Sequence, residues 1–424
     1  MTSRNLNTIS IIGLGYIGLP TAAMFAASGK KVIGVDINQN TVDIINSGSI
    51  HIIENGLESI VNKAVNEGYL RASTKAAPAD VFIIAVPTPF LPLDAESEIP
   101  RPDLSYIHSA VKGIAKVLKK NDLVILESTS PVGATEQMSN WLSEERQDLT
   151  FPQTHGIKSD IRIAHCPERV LPGNVINELV TNSRVIGGMT PRCSELSVEL
   201  YKTFVKGECT VTNSRTAEMA KLTENASRDV SIAFANELSL ICDKLGINVW
   251  ELIDIANLHP RVNILQPGPG VGGHCIAVDP WFIVSNSPDE AKLINLARKV
   301  NDSKPEWVME KIKKAIKLSS KKEVNNIVCL GLAFKPNIDD LRESPAMNIV
   351  KKLASSDFGN VFVVEPNIKE LPPTLNQKVE LIDLKKGLDL AHIIVVLVGH
   401  SAFDVNLIKN KSGPVIIDTC GLLY

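Results

Sequence analysis

Apolar and polar positions follow two different rhythms along the chain. In the first third, short apolar runs end in small or polar residues. "TISIIGLGYIG", "KVIGVD", "DVFIIAVPTP" and "DLVILESTSP" read as buried strands. "PTAAMFAASGK" and the polar stretches between the runs read as helices. Strand alternating with helix predicts a parallel sheet covered on both faces. The strand ends then gather at one edge, where open parallel sheets take their ligands. From about Thr212 the rhythm changes. "TAEMAKLTENASRDVSIAFANELSLICDKLG" runs to Gly246 without a proline and predicts one long helix. More helix is expected between Pro288 and Ser319, interrupted near Pro305. "NNIVCLGLAF", "NVFVVEP", "HIIVVLVGH" and "PVIIDTCG" then read as four short buried strands of a second α/β domain.

The expected fold is α/β, with two doubly wound, Rossmann-like domains joined by a helical middle segment that contains the long helix. The expected domains are 1–211, 212–320 and 321–424. Thr8 to Gly29 carries no charge and has the length of a membrane span. Gly13, Gly15, Gly18 and Pro20 break it into strand, turn and helix, so a soluble chain without membrane insertion is expected.

Composition adds exclusions. The formal net charge is −3, which argues against general nucleic-acid binding. The most basic stretch, "KIKKAIKLSSKK", suits the C-terminal end of a helix. Seven cysteines without a CxxC pair argue against a disulfide framework and a metal site. Free thiols in a reducing cytoplasm are the simplest expectation.

The chemistry is concentrated in a few stretches. Gly13-x-Gly15-x-x-Gly18 follows a strand and opens a helix. Such glycines make the tight turn, admit a pyrophosphate and let helix and strand pack closely. Asp36 ends the next strand, where a carboxylate accepts ribose hydroxyls and repels a 2′-phosphate. The expected cofactor is NAD. Thr88 and Thr129 sit at later strand ends, as ligand contacts or as local turn caps. Lys221, Asn225 and Arg228 share a stripe of the long helix, with Glu218 one turn earlier. That stripe reads either as a solvated face with a Glu218–Lys221 pair or as a catalytic ammonium beside an amide and a guanidinium. "GPGVGGHCIAVDP" surrounds Cys275 with Gly268, Gly270, Gly272 and Gly273, and His274 and Asp279 lie nearby. A buried, inert thiol is one reading; a thiol on a loop that closes over a ligand is the other.

With these motifs assembled, the chain resembles the nucleotide-sugar 6-dehydrogenases, the group containing the UDP-glucose and GDP-mannose dehydrogenases. "VPTP", "ESTSPVG", "CPERVLPG", "TAEMAKLTEN", "GVGGHCIAVDP" and "GLAFKPNIDDLRESPA" occur in the family's order. The resemblance implies a four-electron oxidation of a primary alcohol to a carboxylate with two NAD. It makes Cys275 the nucleophile, Lys221 the acid/base and oxyanion stabiliser, and Asn225 a holder of the reacting oxygen. Asp279 and Thr129 would position water and protons, and Glu168 would serve thioester hydrolysis. Tyr16, Ile17, Thr88, Thr129 and Arg342 would join the glycines and Asp36 around the cofactor. Arg169, Val170, Lys221, Asn225, Arg228, His259, Arg261, Gly272, Phe334 and Lys335 would contact a UDP-sugar.

The resemblance further implies a homodimer, with Arg261 reaching across subunits, and a place in surface-polysaccharide biosynthesis. "PERVLPGNV" and the stretch from His259 to Val284 point to UDP-N-acetyl-D-mannosamine as the substrate. UDP-N-acetylglucosamine and UDP-glucose are the rival substrates. A non-catalytic dinucleotide sensor and a single-step alcohol dehydrogenase are rivals of other classes. Two positions depart from the family. Pro172 stands where the glucose enzymes have a second glutamate, and Cys420 stands where a basic residue is usual.

Overall fold

A computed structural model describes residues 6–92, 99–170, 173–273, 275–318, 325–375 and 378–424. The chain forms two compact units, Met1–Thr223 and Glu224–Tyr424. The boundary falls inside the long helix, which spans Ser214–Leu245.

The first unit is built on eight strands: β1 (Thr8–Ile12), β2 (Lys31–Val35), β3 (Leu70–Ser73), β4 (Val81–Ile84), β5 (Leu123–Leu126), β6 (Arg162–His165), β7 (Arg184–Gly188) and β8 (Cys209–Asn213). They lie in the order β3-β2-β1-β4-β5-β6-β7-β8. All neighbours are parallel except β6 and β7, which pair antiparallel through Ala164–Gly188 and His165–Gly187. The apolar runs explain the two covered faces. Ile9, Ile11, Val81, Ile83, Leu123 and Ile125 enter one core, and Ile12, Phe82, Ile84, Val124 and Leu126 the other. Successive residues of one strand thus feed opposite faces, and each buried aliphatic side chain contributes about 1.5–3 kcal/mol. Strand order reverses between β1 and β4, so a crevice opens beyond their ends.

The second unit repeats the plan with five parallel strands: β9 (Asn325–Leu330), β10 (Gly359–Val364), β11 (Val379–Leu381), β12 (Ile393–Val396) and β13 (Val415–Asp418). Their order is β11-β10-β9-β12-β13, with the reversal between β9 and β12.

Five strands and one helix differ from expectation in detail. β3, β6, β7, β8 and β11 have no strong apolar signal; each is short and carries charged or strongly polar residues. The helix Lys292–Leu318 runs unbroken through Pro305. The proline removes the N–H that would meet the Asn301 carbonyl. That carbonyl instead faces the loop at Gly270, where a Cβ would lie 3.4 Å from its oxygen. Buried polar contacts brace the same helix. Arg298 Nη1 donates to Asp229 Oδ1 (2.6 Å), Asn301 Nδ2 donates to the same oxygen (2.8 Å), and Asn236 Nδ2 donates to Asn301 Oδ1 (2.8 Å).

Candidate active site

In the first unit, each glycine of the β1 turn has a distinct steric reason. Gly13 has φ +93°, and a Cβ there would lie 2.5 Å from the Ala85 carbonyl oxygen at the end of β4. A Cβ on Gly18 would lie 1.9 Å from the Gly13 carbonyl oxygen. At Gly15 a Cβ would meet nothing within 4 Å, so this face is open for a phosphate to approach the backbone. The helix Gly18–Ala27 begins here without a side-chain cap, and the positive end of its dipole favours an anion. Asp36 accepts from Leu14 N–H (3.0 Å) through Oδ2 and from Asn38 N–H (2.9 Å) through Oδ1. It remains half-exposed, with lone pairs to spare. Tyr16 is exposed and Ile17 half-buried on the same turn. This arrangement fits a dinucleotide: crowding where helix meets strand, space at the phosphate and a carboxylate at the ribose.

Further along the edge, Thr88 Oγ1 donates to the Thr129 carbonyl (2.6 Å). The bond ties the "VPTP" loop to the "ESTSP" loop and occupies the Thr88 hydrogen. Glu168 is buried after β6. Its Oε1 accepts the N–H of Arg169 (2.7 Å), and its Oε2 pairs with Arg184. Arg184 Nη1 also reaches Glu127 Oε1 (3.2 Å). Neither Arg184 nor Glu127 stood out in the sequence; only the place of Glu127 inside "ESTSP" hinted at it. Arg169 Nη1 donates to the Ser183 carbonyl (3.3 Å), and Val170 packs against the core.

Glu218 does not form the surface pair that one of the two readings gave it. It is buried, and it accepts from Gly133 N–H (2.7 Å), Thr135 N–H (2.8 Å) and Thr135 Oγ1 (2.6 Å). The carboxylate caps the helix Ala134–Glu145 instead of pairing with Lys221. Lys221 is half-buried at the end of the first unit's share of the long helix.

In the second unit, Asn225 Nδ2 donates to Asp279 Oδ2 (2.5 Å). Asp279 is almost fully buried and opens the helix Asp279–Asn286. Its N–H donates to the Cys275 carbonyl (2.8 Å), as does the N–H of Val278 (3.0 Å). A tight turn thus brings Cys275, Asp279 and Asn225 together, with Cys275 half-buried. His274 and Pro172 lie outside the described residues.

Packing explains the two glycines just before position 274. A Cβ on Gly272 would lie 2.5 Å from the Glu343 carbonyl oxygen and 2.9 Å from Phe334 Cβ. Gly273 has φ +82° and sits against the Phe334 ring, where a Cβ would come within 3.0 Å. The loop starts from Gly268, whose N–H donates to Asn236 Oδ1 (2.9 Å). The thiol loop therefore lies on the loop that carries Phe334. Lys335 is half-buried, its amine 5.8 Å from the Phe334 ring centroid. Arg342 is exposed and held in a fork by Asp340, with Nε to Oδ1 at 2.9 Å and Nη2 to Oδ2 at 2.6 Å. His259 Nδ1 accepts the N–H of Arg261 (3.3 Å); both residues, like Arg228, are exposed. Cys420 is a half-buried thiol, pushed up to about 12 by burial and then by Asp418.

Among the described residues, no His/Cys/Asp/Glu group could hold a metal ion, and no helix is long and apolar enough to cross a membrane. All seven cysteines are free.

Known proteins give this geometry its context. Residues 7–205 match the NAD binding domain of the UDP-glucose/GDP-mannose dehydrogenase family, residues 215–303 its central domain and residues 328–424 its UDP binding domain. The chain belongs to this family. It is an NAD-dependent dehydrogenase of UDP-sugars. It is 64% identical over 404 residues to a UDP-N-acetyl-D-mannosamine dehydrogenase of Campylobacter jejuni, covering 94% of this chain and 97% of that one. It is 60% identical over 418 residues to an NDP-N-acetyl-D-galactosaminuronic acid dehydrogenase of Ralstonia nicotianae, covering 99% and 96%. Among solved structures, the UDP-D-ManNAc dehydrogenase of Pyrococcus horikoshii superposes with a TM-score of 0.85 at 37% identity, covering 98% of this chain and 96% of that one.

Proposed function

We propose that the protein oxidises UDP-N-acetyl-D-mannosamine to UDP-N-acetyl-D-mannosaminuronate through a thioester on Cys275. Per sugar, one primary alcohol, two NAD and one water give one carboxylate, two NADH and three protons. Bound NAD supplies a hydride acceptor for each oxidation. Gly13, Gly15, Tyr16, Ile17, Gly18, Asp36, Thr88, Thr129 and Arg342 hold it.

The observation that carries the chemistry is the turn that joins Cys275, Asp279 and Asn225. The Cys275 thiolate adds to the carbon-six aldehyde, its sulfur forming a C–S bond as the carbonyl oxygen takes up charge. Lys221 and Asn225 stabilise that oxyanion. The second oxidation leaves an acyl–sulfur bond. Water then attacks the acyl carbon, a C–O bond forms, and the C–S bond breaks with its electron pair going to sulfur. Glu168 receives the water's proton, and Asp279 and Thr129 order the water. Arg169, Val170, Arg228, His259, Arg261, Gly272, Phe334 and Lys335 contact the UDP-sugar. The manno epimer is supported by the name of the Campylobacter jejuni relative and opposed by that of the Ralstonia nicotianae relative.

A cytoplasmic homodimer completes the reading, with Arg261 reaching the partner's sugar. Phe234, Ile241 and Leu245 support it, being exposed apolar residues at seven- and four-residue intervals on the long helix. Sedimentation at assay concentration tests it; a fully active monomer would remove it.

The test of function is NADH yield and kcat/KM for the manno, gluco and galacto N-acetyl epimers and for UDP-glucose, with the product identified by mass. Two NADH per sugar and preference for the manno epimer are expected. One NADH would end the thioester route, and preference for another sugar would replace the substrate.

A further inference from the structure

We propose that Arg184 is a positioning residue for Glu168, braced from behind by Glu127, and that this cluster governs the thioester-hydrolysis step. The proposal rests on the reading that Glu168 serves that step.

The topology explains how these residues meet. Parallel β5 and β6 both end at the ligand edge of the first sheet. β7 runs the other way beside β6, so its first residue, Arg184, lies at that same edge. Glu127 follows β5 directly, and Glu168 follows β6 by three residues. The guanidinium spans both: Nη2 pairs with Glu168 Oε2, and Nη1 donates to Glu127 Oε1 at 3.2 Å. Its face lies 4.3 Å from the Tyr201 ring centroid. Glu127 is held in turn by the Tyr201 hydroxyl on Oε1 (3.0 Å) and by Thr21 Oγ1 on Oε2 (3.3 Å). Glu127 also lies two residues before Thr129, so the cluster orders a second residue of the proposed site.

Burial makes the arrangement stringent. Arg184 is 4% exposed, Glu127 2%, Glu168 8% and Tyr201 0%, so water screens little of the charge. One cation cannot balance two buried carboxylates. Burial pushes Glu127 up to about 7, with Arg184 opposing and Glu168 adding to the rise. The other titratable neighbours stay neutral. Burial raises both the Cys166 thiol and the Tyr201 phenol, and pushes His165 down to about 3. Near neutral pH, a protonated Glu127 leaves the cation to Glu168. As pH rises through about 7, Glu127 ionises and draws the guanidinium toward itself, which loosens its hold on Glu168. A planar fork is needed to keep two loops in one geometry, and lysine cannot supply it.

The test uses the full-length protein, NAD and a UDP-sugar that the wild type oxidises. Arg184→Lys keeps the charge and loses the fork. Expected results are a first NADH released at close to the wild-type single-turnover rate, kcat lowered on the order of 100-fold, KM for NAD little changed, and an acyl adduct on Cys275 visible by intact mass. Glu127→Gln holds the neutral form and should remove the fall in kcat above pH 7. Equal slowing of both hydride steps in Arg184→Lys, or an unaltered kcat, overturns the proposal. If that variant fails to fold, an unchanged pH profile in Glu127→Gln overturns it instead. Glu168→Gln separates the two levels. If it accumulates no acyl adduct, the underlying role of Glu168 falls and this proposal with it. If it does and Arg184→Lys does not, only the positioning role falls.

Discussion

Two carboxylates occupy the same place in two sheets. Asp36 follows β2 and Glu365 follows β10, and each strand flanks the strand that opens its unit's sheet. Both acids hold the loop that leaves that opening strand. Asp36 accepts Leu14 N–H, while Glu365 Oε2 accepts Leu332 N–H (2.7 Å) and Ala333 N–H (3.1 Å). Both also accept the N–H two residues ahead, from Asn38 and Asn367. There the likeness ends. Asp36 keeps an open side. Glu365 is 4% exposed, and His400 Nε2 meets its Oε2 at 2.9 Å. His400 Nδ1 accepts the Asn337 N–H (2.9 Å), so Nε2 is the nitrogen that donates. The helix starts differ in the same sense. Gly18–Ala27 has no side-chain cap, whereas Pro345–Ala354 is capped by its own Ser344. The same topological position therefore yields a ligand-facing edge in the first sheet and a closed, internally bonded edge in the second. Phe334 and Lys335, the ligand groups proposed for the second sheet, sit on the braced loop itself.

Removing Glu365 should break this contrast most severely. Glu365→Ala strands His400 and two buried N–H groups, and breaking such a buried pair costs about 3–5 kcal/mol. Unfolding followed by tryptophan fluorescence should show the second unit melting early, with UDP binding lost. A wild-type transition would mean that the closed edge is not held by this acid.

Acid should reproduce part of that effect. Burial works to raise Glu365, but hydrogen bonds from His400 and from the N–H groups of Leu332 and Asn367 override it and hold it down to about 2. A lowered carboxyl contributes stability that is complete above its unfolded value and is lost as pH falls through the folded one. From about pH 4.5 to pH 2 the second unit should therefore lose up to about 3 kcal/mol. Denaturant midpoints across that window measure the loss. Glu365→Gln should flatten the slope, and an unchanged slope would assign it to other groups.

At the open edge, the cost should appear in binding rather than folding. Asp36→Ala loses two partly exposed backbone bonds, so its stability should change by about 1 kcal/mol or less. Its NAD affinity should fall by about 1.5–3 kcal/mol, roughly 10- to 100-fold, as charged acceptors of the ribose hydroxyls disappear. Discrimination against NADP should relax with it. Titration of both cofactors against both proteins measures this; equal use of NAD and NADP by the wild type would remove the role given to Asp36.

This contrast also marks what the sequence could disclose. The first edge was legible because its requirements are local: three glycines, an uncapped helix start and an acid at the next strand end all lie within 36 residues. Strands dominated by apolar residues, such as β1, β4, β9 and β12, were legible for the same reason. The closed second edge was not, since nothing near Glu365 announces a histidine 35 residues away. The Glu127–Arg184–Glu168 cluster depends on the reversed direction of β7, a short strand without an apolar run. The glycines around Cys275 were read as freedom to close. Two of them, Gly272 and Gly273, also pack against Phe334 and the Glu343 carbonyl, a need that sequence separation hid.

Cys420 gives the smallest and most discriminating effect. It follows β13 at the closed edge, where the family usually carries a basic residue. Its N–H donates to Asp418 Oδ1 (3.0 Å), and the same carboxylate takes the N–H groups of Gly421 (2.9 Å) and Leu423 (2.7 Å). The turn is thus built from backbone and Asp418, and the thiol adds contacts to Asp418 and the Leu422 backbone. Burial and Asp418 keep that thiol protonated near neutral pH, so it carries neither charge nor nucleophilicity. Serine is slightly smaller and equally neutral. Cys420→Ser should change stability by less than about 1 kcal/mol and leave KM for the UDP-sugar within about twofold. Cys275→Ser, in the loop packed on Phe334, should lose net acid formation by several orders of magnitude, because a serine alkoxide is far harder to form at neutral pH. Both variants belong in one assay with one substrate. A large loss at Cys420 would show that the second edge contacts the ligand through its thiol after all, and the division between an open and a closed edge would have to be redrawn.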